Sequence, residues 1–413
     1  MRWMQDARRF YEDYGIDVDH VIQTCINVPI SIHCWQADDV VGLEAKSDAS
    51  DSGGILATGG HPGRARSGDE IRADLEWVLD RVPGSHRLNL HAMYAETGAT
   101  SVPRDELEPD HFSNWIEWAA GQRLGLDFNP TYFAHPYAKE GFTLSSQNRD
   151  IQGFWIRHGK ACRRIAKAFA EAQNSDCVIN HWIPDGAKDN PIDRWAPRAR
   201  LRSALDEVLS VPIPGVVDAV ESKLFGLGSE DYVVGSFEFY AQYASQSNAL
   251  LCLDMGHFHP TETIHDKLSA LLQFQDDLLL HVSRPMRWDS DHVVLFDDNL
   301  RAVFAELNRG ASLNRVKIAL DFFDASINRV AAYVIGIRAT RKAMLAALLE
   351  PVSQLKQLEL EGRFAEKLAL LEETKTLPFG AAWNELCDRA GVAGAEWIQD
   401  IQAYEANIGG TRG

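Results

Sequence analysis

Eight short apolar runs recur along the chain as far as Phe323, and amphipathic segments separate them. The runs are rich in Val, Ile, Leu and Phe, as buried strands are, while the segments between them carry apolar residues at the spacing of a helix face. The pattern predicts strands over 28–36, 87–94, 124–130, 177–185, 216–223, 249–257, 277–284 and 316–323. It predicts helices over 70–82, 111–123, 154–172, 200–211, 236–246 and 263–274.

Strands and helices that alternate in this way predict an α/β protein with a closed parallel (β/α)8 barrel, the TIM-barrel fold. We assign residues 1–328, including an N-terminal helix, to this barrel. Residues 38–68 interrupt the alternation with a long segment rich in Gly, Ser, Asp and Ala. Because this segment follows the first strand, it would lie over the mouth of the barrel, either as an exposed connection or as a lid.

The last part of the chain, residues 329–413, is predicted to be a C-terminal α-helical extension. Its helices are expected over 329–351, 352–378 and 381–408. The extension carries Trp383 and Trp397. Large aromatic side chains are unfavourable on an exposed surface, so we expect the extension to bury them in contacts between subunits.

Acidic and histidine side chains stand where the later apolar runs end. In a barrel of this kind the functional face is built from the loops that follow the strands, so these side chains are expected to converge. Carboxylates together with imidazoles suit divalent ions such as Mn²⁺, Mg²⁺, Co²⁺ or Zn²⁺. The candidate metal ligands are Glu221, Asp254, His257, His281, Asp289, Asp291 and Asp321.

These ligands are too many for one ion, so the sequence predicts two divalent metal sites in each subunit. The ligands that end a strand are assigned to an inner, closed site: Glu221, Asp254, His281 and Asp321. The ligands on the loops beyond are assigned to an outer site with open positions for water or substrate: His257, Asp289 and Asp291. A carboxylate of the inner site could bridge the two ions.

Lys223 shares a strand face with Glu221, because alternate side chains of a strand point the same way. One interpretation is a simple ion pair between the two residues. The other is that Lys223 donates to a substrate oxygen that gains negative charge. Trp35, His91 and Trp182 also fall at the mouth end of their strands. We expect them to line a polar pocket for substrate.

The chain is strongly acidic, with a formal net charge of −18 over 413 residues. Such a charge repels phosphate backbones and anionic membrane surfaces, so we expect neither nucleic acid nor a membrane as a partner. The six cysteines are scattered without a CxxC pair, and the first residues lack the apolar core of a signal peptide. No stretch is long and apolar enough to span a bilayer. These features favour a cytoplasmic protein.

At these residues the chain resembles the L-rhamnose isomerase family, within the xylose-isomerase-like barrels. The resemblance runs along nearly the whole length and is closest to the enterobacterial type. It is specific because many long motifs match in order. They are SIHCWQADDV, LNLHAMY, LGLDFNP, WIPDG, DAVESKLFG, DMGHFHPTE, LLLHVSRPMRWDSDHVV and LDFFDASINR.

The resemblance implies a reversible conversion of L-rhamnose to L-rhamnulose by a cytoplasmic homotetramer. It implies a requirement for divalent metal, with Mn²⁺ favoured and Zn²⁺, Co²⁺ or Mg²⁺ as alternatives at the inner site. It also implies the division of the ligands between an inner and an outer site that is given above. Lys223 and His91 match residues near the sugar oxygens, and Trp182 and Phe323 match pocket walls. One departure is His181, where an apolar residue is expected. Strand alternation turns it away from Trp182.

Isomerising an α-hydroxy aldehyde moves a hydrogen between C1 and C2 and a proton between O1 and O2. Ions that chelate those oxygens favour a direct hydride shift, with the proton handled by Asp321 or by a water on the metal. An enediol route would instead need a base near C2. Three alternative functions remain open: an isomerase of another aldose (mannose, lyxose or allose), a metal-dependent phosphodiesterase, and a sugar-binding protein without activity. The acidic charge weighs against the phosphodiesterase.

Overall fold

The computed structural model describes residues 8–34, 42–44, 63–98, 101–224, 229–259, 261–284, 292–322 and 327–412. Within these residues, eight strands form a central sheet and two short strands form a separate ribbon. In chain order the strands are β1 (Ile30–His33), β2 (His86–His91), β3 (Gly125–Asn129), β4 (Cys177–Trp182), β5 (Gly186–Ala187), β6 (Val216–Glu221), β7 (Tyr232–Val233), β8 (Leu250–Asp254), β9 (Leu278–Val282) and β10 (Val316–Leu320).

The strands of the central sheet are all parallel and close into a barrel in the order β1-β10-β9-β8-β6-β4-β3-β2. The barrel closes where β1 pairs with β10, with Ser31 beside Ala319. This arrangement confirms the predicted (β/α)8 fold. The antiparallel ribbon of β5 and β7 was not predicted, because two residues per strand are too few to show an alternating pattern.

Helices surround the barrel. They are α1 (Val18–Asn27), α2 (Gly68–Leu79), α3 (Ser113–Gln122), α4 (Arg149–Gln173), α5 (Trp195–Val208), α6 (Phe237–Gln246), α7 (Ile264–Leu271), α8 (Asp298–Arg309), α9 (Arg329–Leu348), α10 (Val352–Leu360), α11 (Phe364–Thr374), α12 (Phe379–Arg389) and α13 (Ile398–Arg412). Helix α4 begins five residues before the predicted start, because Asn148 caps it by accepting from the Asp150 N–H at 2.9 Å. No helix among the described residues has the length and apolar composition needed to cross a bilayer.

The strands end earlier than predicted at the mouth of the barrel. Strand β6 ends at Glu221 and β8 ends at Asp254, two and three residues before their predicted ends. After these points the chain leaves the sheet, and the Lys223 N–H donates to the Gly235 carbonyl at 3.4 Å. The side chains just beyond a strand are therefore placed by loop contacts as well as by strand alternation.

His181 faces the helices outside the barrel. It is fully buried, its Nε2 lies 3.0 Å from Asp218 Oδ1, and its Nδ1 lies 3.2 Å from the Tyr132 hydroxyl. These partners satisfy a polar ring at a position where an apolar residue was expected. All six cysteines are buried.

Helix α9 is the most buried helix of the C-terminal segment and packs on β1, α1, α2 and α8. Its Arg341 is buried and donates to the carbonyl groups of Val28 at 2.6 Å and Ser85 at 3.0 Å. These carbonyls precede β1 and β2, so Arg341 fixes the helix to the N-terminal end of the barrel. The division of the chain at residue 328 stays a proposal.

Trp383 and Trp397 are buried within the chain itself. The guanidinium of Arg338, on α9, lies 5.0 Å from the Trp383 ring and 5.7 Å from the Trp397 ring. The expectation that a partner subunit is needed to bury these tryptophans is therefore wrong, because they join the core of their own chain. The exposed large apolar side chains of this segment include Leu360, Phe364 and Leu368 on α10 and α11, and Ile398 on α13.

Most of the predicted loop over 38–68 lies outside the described residues. Within the part that is described, Glu44 forms a two-point ion pair with the buried Arg104, and both N–O distances are 2.7 Å. Arg104 also donates to the carbonyls of Thr131 and Phe133 at 2.6 Å. The described piece of this loop is thus tied to the loop that follows β3, and the lid itself stays a prediction.

Candidate metal centre

The inner group of predicted ligands comes together at the mouth of the barrel. Glu221 ends β6, Asp254 ends β8, His281 lies in β9, and Asp321 follows β10 directly. Adjacent strands of a parallel sheet end side by side, and Asp254 is in register with His281. Each of the four residues offers a ligand atom within 4.8 Å of the others.

The spacing of these atoms is that of ligands around a common centre. His281 Nδ1 lies 3.4 Å from Glu221 Oε2, 3.6 Å from Asp254 Oδ2 and 3.4 Å from Asp321 Oδ2. These separations are long for hydrogen bonds. Ligands held about 2.1 Å from one ion would lie roughly 3.0 to 3.5 Å apart, so the donor set fits a divalent cation.

Because the cluster is buried, its negative charges must be compensated by a nearby positive charge. Glu221, Asp254 and His281 are each about 1% exposed, so their carboxylates have little water to stabilise them. Burial alone would lower the pKa of His281, but its acidic neighbours, Cys252 and Glu221 foremost, hold that pKa well above the usual value. In the absence of an ion a proton on His281 supplies the missing charge.

The pKa values of two carboxylic acids of the cluster, Asp254 and Asp321, are shifted in opposite directions. Burial raises the pKa of Asp254, against the opposing charge of His257. Burial would raise the pKa of Asp321 as well, but the contact with the His281 imidazole at 3.4 Å and the charge of that ring outweigh burial and hold the pKa below its usual value. Asp321 is thus the one of these two carboxylates that stays ionised.

Contacts behind the cluster fix the orientation of its carboxylates. The Asn180 amide donates to Glu221 Oε2. Asp254 Oδ1 accepts from the Ser283 hydroxyl at 2.8 Å and from the Gly256 N–H at 2.6 Å, which leaves its Oδ2 to face His281. Outer partners of this kind hold metal ligands in their binding conformation.

His257 lies beside the cluster on the loop after β8. Its Nδ1 is 2.9 Å from Glu221 Oε1, whereas Glu221 Oε2 faces His281. The two oxygens of Glu221 therefore face the inner group and the first residue of the outer group. The other predicted ligands of the outer group, Asp289 and Asp291, lie outside the described residues.

Aromatic rings and a lysine form a wall next to His257. The Trp182 ring is nearly parallel to the His257 ring, with centroids 5.9 Å apart and planes at 15°. Lys223 Nζ lies 4.9 Å from the centre of the Trp182 ring. Phe133 meets Trp182 edge-on at 5.2 Å. Both Trp182 and Lys223 are thus at the mouth, in cation–π contact with each other.

His91 is buried on the same side of the barrel. Its Nδ1 lies 3.3 Å from the Thr131 hydroxyl, and its ring is 6.3 Å from Phe133. Burial is the main cause that lowers the pKa of His91 to about 3. The imidazole is therefore neutral at physiological pH and can take part in hydrogen bonds without adding charge to the pocket. Trp35 and Phe323, predicted to contact substrate, lie outside the described residues.

Sequence reasoning missed several residues of this site. Asn180 and Ser283 carry no local signal of a role, because each acts on a carboxylate from another strand. Cys252 lies inside an apolar run, where a cysteine gives no signal of a ligand, yet it can join Glu221 and His281 in a second possible ligand group. Phe133 could have been noticed, since it lies in an aromatic-rich loop just after β3.

The chain is similar to known proteins over nearly its whole length. A family model described as L-rhamnose isomerase (RhaA) matches residues 1–412. The L-rhamnose isomerase of Rhodopirellula baltica is 54% identical over 405 residues, covering 97% of this chain and 94% of that protein. The L-rhamnose isomerase of Escherichia coli is 53% identical over 410 residues, covering 98% and 97%.

Among solved structures, an L-ribulose 3-epimerase aligns with a TM-score of 0.46 at 10% identity, covering 80% of this chain and 97% of that one. The relatives match over nearly the whole chain, which includes the barrel and the C-terminal helices. The chain therefore belongs to the L-rhamnose isomerase family, a family of aldose–ketose isomerases.

Proposed function

We propose that this protein is a metal-dependent isomerase that interconverts L-rhamnose and L-rhamnulose. The observation that carries the proposal is the buried cluster of three carboxylates around His281 at the mouth of the barrel. The named activity of relatives that are more than half identical over nearly the whole chain supports the choice of sugar. No described feature favours another aldose over L-rhamnose.

The proposed metal content is two divalent ions in each subunit. Glu221, Asp254, His281 and Asp321 would hold the inner ion, and His257, Asp289 and Asp291 would hold the outer one. Oxygen-rich donor sets with one imidazole suit Mn²⁺, with Zn²⁺, Co²⁺ or Mg²⁺ as alternatives at the inner site. Bound there, the ions would act as Lewis acids that polarise the sugar's carbonyl and hydroxyl oxygens.

Asp321 and Lys223 are proposed as the groups that handle protons and charge. Asp321 is ionised and stands at the edge of the cluster, where its side chain keeps 15% exposure. It would accept the proton from the sugar's O2 and return it to O1. Lys223 would donate to the oxygen that gains negative charge, which its place beside Trp182 allows.

The pocket walls would orient the sugar and exclude water. Trp182 presents a large ring beside His257, and aromatic rings stack well on the apolar face of a sugar. His91, neutral and buried, would hydrogen-bond a sugar hydroxyl. Trp35 and Phe323 are proposed to complete the pocket, with an apolar contact for the C6 methyl group of the deoxy sugar.

We propose that hydrogen moves directly from C2 to C1 as a hydride while the proton moves from O2 to O1. An aldose deuterated at C2 should then give a ketose that keeps the deuterium at C1. Extensive loss of label to solvent would reject the direct shift and favour an enediol route, in which a base removes the proton from C2.

The test of the activity is a panel of aldoses with metal-stripped protein, restoring Mn²⁺, Co²⁺, Mg²⁺ or Zn²⁺ singly. L-Rhamnose should be the best substrate, and activity should need the added ion. Turnover of mannose, lyxose or allose in preference to L-rhamnose would change the assigned substrate. Full activity after removal of metal would refute the proposal.

We also propose a cytoplasmic homotetramer whose contacts include helices α10 and α11. The exposed Leu360, Phe364 and Leu368 on these helices form an apolar surface that a second copy of the chain could cover. Light scattering measures the mass in solution. A monomer at micromolar concentration would refute this assembly.

A further inference from the structure

A cavity of about 240 Å³ lies inside the barrel below the metal cluster. Its upper end is lined by His281 and Asn180, the latter being the residue that holds Glu221. Its lower end is lined by Pro29, Ser175 and Asp176, which precede β1 and β4. The cavity thus extends from the N-terminal end of the barrel, opposite the mouth, up to a ligand of the proposed inner ion.

Polar side chains of β1, β2 and β3 line one side of this cavity, and Val178, Leu279 and Ala319 line the other. Interiors of such barrels are usually filled by layers of branched apolar side chains. Here Ser31 donates to Asp127 Oδ2 at 2.6 Å, and Asp127 Oδ1 lies 2.9 Å from the Arg87 guanidinium. Ser31 is paired with Ala319 in the neighbouring strand. Small and polar residues therefore leave space where bulky apolar ones would close it.

Two buried amide oxygens line the cavity without a protein partner among the described residues. Asn180 is 2% exposed, and because its amide N–H donates to Glu221, its Oδ1 is turned away from that carboxylate. Asn89 is 4% exposed, and its Oδ1 also lacks a partner. Buried polar atoms of this kind are normally hydrogen-bonded to ordered water. The cavity has room for about eight waters.

The lower end of the cavity adjoins a larger cavity of about 470 Å³, with Pro29, Arg87 and Ser175 lining both. The four charged side chains of the inner cavity other than His281 balance in sign: Arg87 and Lys317 against Asp127 and Asp176. A balanced, hydrated lining does not repel a small cation.

We propose that this cavity is a water-filled second entrance, through which the inner metal ion exchanges with solvent while the mouth is occupied by sugar. The inference rests on the proposed metal site. Water reaching the underside of His281 and Asn180 would replace protein ligands one at a time, and the ion would leave or enter at the N-terminal end of the barrel. Sugar and ion would then use opposite ends of the same barrel.

The test measures release of Mn²⁺ from the loaded enzyme by electron paramagnetic resonance, with excess Zn²⁺ as competitor. Saturating L-rhamnitol, the reduced form of the proposed substrate, occupies the mouth. Ser31→Leu places an isobutyl group in the cavity, whereas the matched control Ser31→Ala removes the same hydroxyl and leaves the cavity open. We expect Ser31→Leu to slow the release at least about tenfold, and Ser31→Ala to release at the wild-type rate.

Asn89→Leu, on the neighbouring strand, gives an independent check if Ser31→Leu folds poorly. It replaces an oxygen that has no protein donor, so the cost to the fold is small, and it should slow release in the same way. Release at the wild-type rate from loaded variants would overturn the second entrance while leaving the isomerase intact. A wild-type protein that is active but holds no Mn²⁺ would overturn the metal proposal and the entrance with it.

Discussion

Glu221→Gln is the sharpest test of the inner metal site. In the structure one oxygen of Glu221 faces His281 Nδ1 at 3.4 Å and the other faces His257 Nδ1 at 2.9 Å. Glutamine keeps the length and shape of the side chain and retains an oxygen for the Asn180 amide. The change therefore removes a negative charge and one anionic ligand with little change of packing.

The size of the effect follows from linkage between binding and folding. Altering even an outer partner of a ligand costs 10- to 100-fold in metal affinity, so loss of a ligand charge should cost at least about 100-fold. At saturating metal this removes about 2.7 kcal/mol of stabilisation. For a chain of 413 residues we expect the melting temperature to fall by roughly 3 °C.

Differential scanning calorimetry with and without a chelator provides the assay. The wild type should melt at a lower temperature after chelation, and the gap between wild type and Glu221→Gln should shrink, because neither then holds the ion. Glu117→Gln, on the exposed face of α3, is a matched control with the same chemical change and should behave as the wild type. A wild-type melting temperature that is unchanged by the chelator would refute the proposed role of the inner metal in stability.

Three further outcomes are expected. His257→Ala should abolish isomerisation with little change in melting temperature, since this ligand lies on a loop; turnover at the wild-type rate with limiting Mn²⁺ would contradict the outer site. The raised pKa of His281 means that the metal-free protein still carries a proton there at neutral pH, so binding should release protons and weaken as the pH falls. Calorimetric binding heats that are the same in buffers of different ionisation enthalpy would argue against this. Phe364→Lys combined with Leu368→Lys should lower the mass in light scattering while the fold is kept, and an unchanged mass would place the assembly surface elsewhere.

The apolar runs predicted the barrel well because strands that are buried on both faces are almost continuously apolar in sequence. Each apolar run became a strand, and the eight runs close into one barrel. The ends of the strands were less accurate. A strand stops where its neighbour stops offering hydrogen bonds, and the composition of a segment such as 216–223 does not record that point.

The ligand types of the metal cluster were also set by the sequence alone. Glu221, Asp254, His281 and Asp321 stand at or just after strand ends, and parallel strands bring such ends together whatever the details of packing. Local pattern and fold class were therefore enough to place these four side chains in one cluster.

Only the tertiary structure decided what surrounds that cluster. Asn180 reaches Glu221 from 41 residues away, and Trp383 is covered by Arg338 of another helix of the same chain. The cavity beneath His281 depends on small and polar side chains from several strands lying side by side. Such contacts join residues that are distant in sequence, so no local pattern of apolar and polar positions can predict them.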